Sequence, residues 1–293
     1  MSILGIIGGS GIYNLEKFGR CKKINVKTSW GEPSDLITEL QSNNNKKIYF
    51  IPRHGEDHSI NPTQVNYRAN IAAFKEIGVT DLISISAVGS LKNNIKPGSF
   101  VIINQYIDKT FKRENTFFDK DLIAHVSMAK PNSESLSKIC HEIITDLNYD
   151  FHSNVSYVAI EGPQLSTHME SKNNHDQGFD VVGMTNMPEA KLAREAEIRY
   201  QSIGMVTDYD CYTEDLCMTD VQEIILTMNQ MKDKASNIIK VLTNSFDKYT
   251  LDSDDILTCL DKSIITDIEK VSEKTKDDLK FIIKRYLDKM SSN

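Results

Sequence analysis

Seven short apolar runs limit what this chain can fold into. They fall at residues 3–7, 46–52, 81–87, 99–107, 155–160, 180–184 and 201–206. Each is followed within two residues by glycine, threonine or a charged residue. Runs of this length, rich in Ile and Val, read as buried strands. Helical segments lie between them: residues 65–77, with Ala69, Ala72, Ala73 and Phe74 for packing, 135–148, a helix from about His168, and 189–197, with Pro188 suited to a first turn. A longer helix is expected over 219–246. Its stripe of Val221, Ile224, Ile225, Met228 and Met231 fits ordinary core packing. Strands alternating with helices predict an α/β fold, with a twisted mixed, mostly parallel central sheet flanked by helices. Residues 1–250 read as the main unit. Residues 251–293 are rich in acidic residues and Lys, with Ile, Leu and Phe at helical intervals. They read as a C-terminal helical extension, in the same domain or peripheral to it.

The charge balance narrows the partners. A net charge of −7 argues against nucleic acid or an anionic membrane as the main partner, while leaving room for a small anion held by local basic residues. No apolar stretch approaches a membrane span. The chain opens directly into a strand-like run, so no secretory leader is expected. Cysteines 21, 140, 211, 217 and 259 are odd in number and contain no CxxC spacing. Neither a disulfide framework nor structural zinc is expected, and the reducing cytoplasm fits best.

Polar and ionic residues recur where the strands end. Gly8-Gly9-Ser10-Gly11 fits either an anion-cradling loop or a plain tight turn. It lacks the Gly-Lys-Ser/Thr of a Walker loop, and Asn14 stands where a dinucleotide fingerprint needs its third glycine. Arg53-His54, with His58 nearby, offers a planar fork and a titratable ring to an anion; the alternative is a surface Arg with a capping His. Ser86 and Ala87 could add a hydroxyl and backbone amides. Thr185 closes another strand. Ser166 or Thr167 could cap the helix that follows. His125 lies in a long patternless loop, 109–131. Asp208 and Asp210 arrive together after the last strand. On an extended backbone both point to one side, so mutual repulsion and burial would let one keep its proton. Such a pair presents one donor and one acceptor to a heterocycle, although an Asp-rich capping turn is the simpler reading. The convergence of these ends predicts one pocket with an anion half and a heterocycle half.

Taken together, several segments resemble the S-methyl-5′-thioadenosine phosphorylases of the trimeric purine nucleoside phosphorylase superfamily. They are Gly8-Gly9-Ser10-Gly11, Arg53-His54-Gly55 with His58, 62–70 (PTQVNYRAN), 87–91 (AVGSL), Glu161-Gly162-Pro163, 183–190 (GMTNMPEA) and 207–211 (TDYDC). The resemblance spans about residues 3–245. It implies phosphorolysis of S-methyl-5′-thioadenosine to adenine and 5-methylthioribose 1-phosphate, with inorganic phosphate as co-substrate and neither cofactor nor metal. It further implies that Ser10, Arg53, His54, Ser86, Ala87 and Thr185 hold phosphate and that Met184 lies against ribose. Asp208 would face purine N7 and Asp210 the amino group, with Leu165, Ser166, Thr207 and His58 also at the substrate. Val221, Ile224 and Met228 would line the methylthio pocket, closed by His125 of a neighbouring subunit in a homotrimer or a hexamer.

Gln164 and His168 stand where many relatives carry Arg, and Leu165 replaces an aromatic residue of some members, implying a looser base pocket. Alternative readings are a purine nucleoside phosphorylase acting on adenosine, inosine, guanosine or methylthioinosine, a non-catalytic nucleoside-binding protein, and a dinucleotide-dependent oxidoreductase resting only on the first glycine loop.

Overall fold

The computed structural model describes residues 2–9, 18–41, 47–216, 221–252 and 254–292. Nine strands form one mixed sheet: β1 (Leu4–Gly8), β2 (Arg20–Ile24), β3 (Ile37–Gln41), β4 (Lys47–Pro52), β5 (Asp81–Ser90), β6 (Phe100–Asp108), β7 (Phe151–Ala159), β8 (Val181–Gly183) and β9 (Arg199–Tyr209). Their order is β2-β3-β4-β1-β5-β8-β7-β6-β9, and β9 returns to pair with β5. Five strands therefore close into a ring. The mixed central sheet flanked by helices agrees with the sequence expectation; apolar runs identify strands but carry no record of which edges meet.

β5 explains the closure. β9 runs parallel along its whole length. On the other edge, β1 pairs parallel with Asp81–Ile85, and β8 pairs antiparallel with Gly89 and Ser90 only. Between those partners, no strand among the described residues lies beside the edge of β5 at Ser86–Val88. This is a switch point of the sheet, the place where α/β folds open a crevice.

Helices α1 (Tyr67–Glu76), α2 (Glu134–Asp146), α3 (His168–Asp176), α4 (Asn186–Glu195), α5 (Val221–Ser245) and α6 (Glu273–Met290) surround the sheet. Ile71 and Phe74 of α1, Leu192 of α4 and Leu279, Ile282 and Ile283 of α6 share one apolar cluster. Ile139 and Ile143 of α2 and Ile238, Ile239 and Leu242 of α5 belong to another. The α6 positions follow i, i+3, i+4 spacing, which turns one stripe inward. Arg285 of α6 grips Glu197 through Nε at 2.6 Å and Nη2 at 2.7 Å, and also reaches Asp261 at 2.6 Å. The C-terminal segment thus packs against the main body. No helix among the described residues is long and apolar enough to cross a membrane.

Pro188 does open a helix, as expected: Met187 before it is non-helical at φ −117°, ψ 129°. Strands β2 and β3 were not legible. β2 reads RCKKI and is half exposed, and lysines on such an edge discourage pairing with other chains while hiding the strand pattern. Asn43-Asn44-Asn45, expected as a hairpin tip, lies outside the described residues.

Candidate active site

A cavity of about 450 Å³ opens at the switch point of β5. It is lined by Gly9 after β1, Arg53 and His54 after β4, Ser86 to Gly89 of β5, Met184 and Thr185 after β8, and Thr207, Asp208 and Asp210 at the end of β9. Leu165, Ser166, His58 and Ile224 complete the expected residues found there. The strand ends predicted to converge do so.

At one end, Arg53 is fully buried. Its Nε and Nη2 bond Glu189 at 2.8 and 3.2 Å, and Nη2 also donates to Ser84 Oγ at 2.7 Å. Burial works against its charge, but Glu189 outweighs that and keeps it protonated. This corrects one expectation: the planar fork faces Glu189 rather than a ligand. The Nη1 corner lies by Gly9, where an added Cβ would stand 3.1 Å from Nη1 and 2.8 Å from the carbonyl of Ile85. Only glycine lets the chain pass so close.

His54 lies beside this corner with Nδ1 2.8 Å from the carbonyl of Ile60. A carbonyl only accepts, so Nδ1 carries the proton and Nε2 is the second ring nitrogen's acceptor face. Burial, with the nearby Arg53 charge, pushes the His54 pKa down to about 4, so the ring is neutral at pH 7. His58 packs its ring 4.7 Å from that of His54. Ser86 is buried, and its Oγ has no hydrogen-bond partner among the described residues.

At the other end, β9 carries a bulge. Val88 pairs with Val206 and Gly89 with Asp208, leaving Thr207 as the extra residue. A bulge of this kind re-aims side chains next to a site. Thr207 Oγ1 donates to Asp208 at 2.6 Å. Burial chiefly, with the Asp210 carboxylate adding to it, raises the Asp208 pKa to about 6. Asp210 is buried, and its Oδ2 has no hydrogen-bond partner among the described residues. Both carboxylates line the cavity, while residues 217–220, just before α5, lie outside the described residues.

Thr167, not Ser166, caps α3, in a capping box with Glu170. Ser166 Oγ is buried beside the cavity without a partner among the described residues. His168 Nδ1 donates to the carbonyl of Cys211 at 2.7 Å, and Cys211 Sγ to the carbonyl of Ser166 at 3.3 Å. Those two bonds tie the start of α3 to the segment that follows β9. Leu165 is 51% exposed at the cavity edge.

Ser10 lies outside the described residues. Val221 is exposed, and neither it nor Met228 lines this cavity. The N-terminal turns of α5 stand clear of their own core, so the stripe bends away from the pocket except at Ile224. His125 is exposed on its loop, held by its backbone N–H to the carbonyl of Ser263 at 2.8 Å. Glu189, Arg113 and Glu161 were not assigned roles from sequence. Glu161 followed a strand in the Glu-Gly-Pro turn, a signal that was available; Arg113 sat in a patternless loop and gave none. Burial is opposed at Glu161 by the Thr63 hydroxyl, the N–H groups of Phe111 and Lys112, and the Arg113 charge, which bring its pKa down to about 2.

Residues 3–244 match the family model of the phosphorylase superfamily. The chain is 45% identical over 240 residues to the S-methyl-5′-thioadenosine phosphorylase of Rhodospirillum rubrum, covering 82% of this chain and 81% of that one. A crystal structure of a methylthioadenosine phosphorylase from an antarctic soil metagenomic library superposes with a TM-score of 0.88 at 37% identity, covering 96% of this chain and 98% of that one. The methylthioadenosine phosphorylase of Schistosoma mansoni in complex with tubercidin gives a TM-score of 0.78 at 29% identity, over 97% and 98% of the two chains.

Proposed function

This chain belongs to the phosphorylase superfamily, and from that membership we propose that it is a pentosyltransferase that carries out phosphorolysis of S-methyl-5′-thioadenosine, giving adenine and 5-methylthioribose 1-phosphate. The observation that carries this reading is a distance along one strand. Ser86, by the Arg53–His54 corner, and Gly89, against which Asp208 and Asp210 pack, are three residues apart on β5. Three residues of strand span about 10 Å, the reach of one nucleoside with phosphate beneath it.

Phosphate binds at Arg53 Nη1, His54, Ser86, Ala87 and Thr185, with Ser10 completing the set. A neutral His54 accepts the hydroxyl of a monoprotonated phosphate through Nε2. A phosphate oxygen bonds C1′ of the ribose, held against Met184, while the bond from C1′ to the purine nitrogen breaks and its electron pair passes to the base. Asp208 gives its proton to N7 as that charge develops. Asp210 accepts from the exocyclic amine, which accounts for a buried Oδ2 with no partner among the described residues. Holding both substrates in one cavity removes much of the entropic barrier to their meeting. Phosphate is a co-substrate, and the reaction requires no metal or cofactor.

The working unit is a homotrimer. Leu165, Val221, Ile225 and Leu226 are exposed apolar side chains near Ile224, and a neighbouring copy that brings His125 covers them and completes the methylthio pocket with Val221 and Met228. Thiols at Cys140 and Cys259 that form no disulfide support a cytoplasmic location. The test is phosphate-dependent release of base from methylthioadenosine, adenosine, inosine and methylthioinosine, side by side. Cleavage of methylthioadenosine with the highest kcat/KM supports the reading; preference for a 6-oxo purine, or binding without cleavage, refutes it.

A further inference from the structure

Arg113 lies on the patternless loop, yet its side chain is 1% exposed. Its guanidinium gathers segments that border the cavity. Nη1 donates to the carbonyl of Met184 and, at 2.7 Å, to that of Met187. Nη2 donates to the carbonyl of Glu161 at 2.7 Å, and Nε to the Glu161 carboxylate at 3.2 Å. Nη1 also donates to the hydroxyl of Tyr67 at 3.1 Å, and that hydroxyl donates to the carbonyl of Pro62 at 2.9 Å. Pro62, Met184 and Thr185 line the cavity. The Glu161 carboxylate in turn accepts from the backbone of Phe111 at 2.7 Å, which pins the loop that delivers Arg113.

We propose that Arg113 is a positioning residue for the phosphorolysis inferred above: one buried guanidinium holds the turn around Thr185 in the shape that grips phosphate and ribose. The physical case rests on the carbonyls of Met184 and Met187, which flank Thr185. Each carries lone pairs that repel an anion. With Arg113 in place they point at a cation; without it they are buried acceptors lacking a partner, and the turn rearranges to reach one. Five donors in a fixed fork suit this task, and a lysine ammonium cannot reach the same carbonyls together. The charge is felt across the site, since Arg113 adds to burial and Arg53 in keeping His54 neutral. Nothing in the set touches Asp208 or Asp210, so the base half is independent of it.

The experiment compares wild type, Arg113→Ala, Arg113→Lys and Tyr67→Phe as full-length chains. It reads kcat, KM for phosphate, KM for methylthioadenosine, inhibition by adenine, and the rise in melting temperature that phosphate produces without nucleoside. For both Arg113 variants we expect phosphate KM to rise at least about tenfold and kcat to fall about ten- to a hundredfold. The phosphate-induced melting shift disappears, and adenine inhibition stays within about threefold of wild type. Added guanidinium ion restores part of the Arg113→Ala rate, and Tyr67→Phe shows the same pattern more weakly. Constants within about threefold of wild type, or an equal loss of phosphate and adenine binding with no guanidinium rescue, would overturn the inference. If Arg113→Ala does not fold, Arg113→Lys and Tyr67→Phe decide on the same readouts. Wild type that releases no base from methylthioadenosine condemns the functional reading instead, while the phosphate melting shift still judges Arg113.

Discussion

Arg53 and Glu189 stand 136 residues apart in the chain and meet as a two-pronged ion pair, Nε to Oε2 at 2.8 Å and Nη2 to Oε1 at 3.2 Å. Both side chains are out of reach of water, at 0% and 1% exposure. Tyr200 adds a hydroxyl to Glu189 Oε1 at 2.7 Å. Glu189 thereby fixes the Arg53 fork at the edge of the cavity, where Nη1 donates to the carbonyl of Ile85 at 3.4 Å.

Breaking that pair leaves a buried cation uncompensated. Glu189→Ala is expected to destabilise the protein by about 3–5 kcal/mol. Glu189→Gln, which keeps one acceptor and the side-chain volume, costs less. Denaturant unfolding of the two variants against wild type checks the order; equal stability of all three contradicts it.

Asp208 couples activity to stability in opposite senses. Its folded-state pKa of about 6 lies above the ordinary 3.8. The group therefore contributes stability that is fully present below pH 3.8 and lost as pH rises through about 6. Asp208→Asn cannot ionise, so it gains stability over wild type above pH 6 while phosphorolysis drops about 10²- to 10⁴-fold. In wild type, kcat/KM falls as pH rises through the Asp208 pKa, and this limb vanishes in Asp208→Asn. Melting curves and pH–rate profiles measure both halves; near-normal turnover in the variant removes the acid role.

A second buried carboxyl responds to pH away from the cavity. Glu195 accepts from Thr116 Oγ1 at 2.7 Å and from the backbone N–H of Phe117 at 2.6 Å. Burial raises its pKa to about 7 in spite of those bonds. Its contribution is complete below pH 4.5 and disappears as pH climbs through about 7. Glu195→Gln keeps an acceptor for Phe117 and carries no charge. Its melting temperature relative to wild type should increase steadily from pH 6 to 8, and a flat difference would count against the buried carboxyl as the cause.

Gly162 sits at φ +65°, and a Cβ there would run into Met184 Sδ. Gly162→Ala carries the left-handed backbone penalty of about 1–2 kcal/mol, and it also displaces Met184, the residue proposed to lie against ribose. The expected result is lower stability and a raised KM for the nucleoside, with phosphate binding retained. Unfolding curves and steady-state kinetics test it together.

Much of this protein is written locally. Runs such as LGIIG of β1 and DLISISAVGS of β5 announce strands by composition, and amphipathic spacing marks α1 and α2. Because α/β folds gather ligands at strand ends, Arg53, His54, Ser86, Thr185, Asp208 and Asp210 could be placed in one pocket from the order of elements alone. Tertiary structure decided the rest. Only folding shows that β9 returns to β5, that Thr207 forms a bulge, that the Arg53 fork faces Glu189, and that Thr167 rather than Ser166 caps α3. The reason is range. Strand and helix periodicities are properties of neighbouring residues, whereas ring closure, buried ion pairs and the loop gathered by Arg113 join groups tens to over a hundred positions apart, and no local pattern encodes which partner each will find.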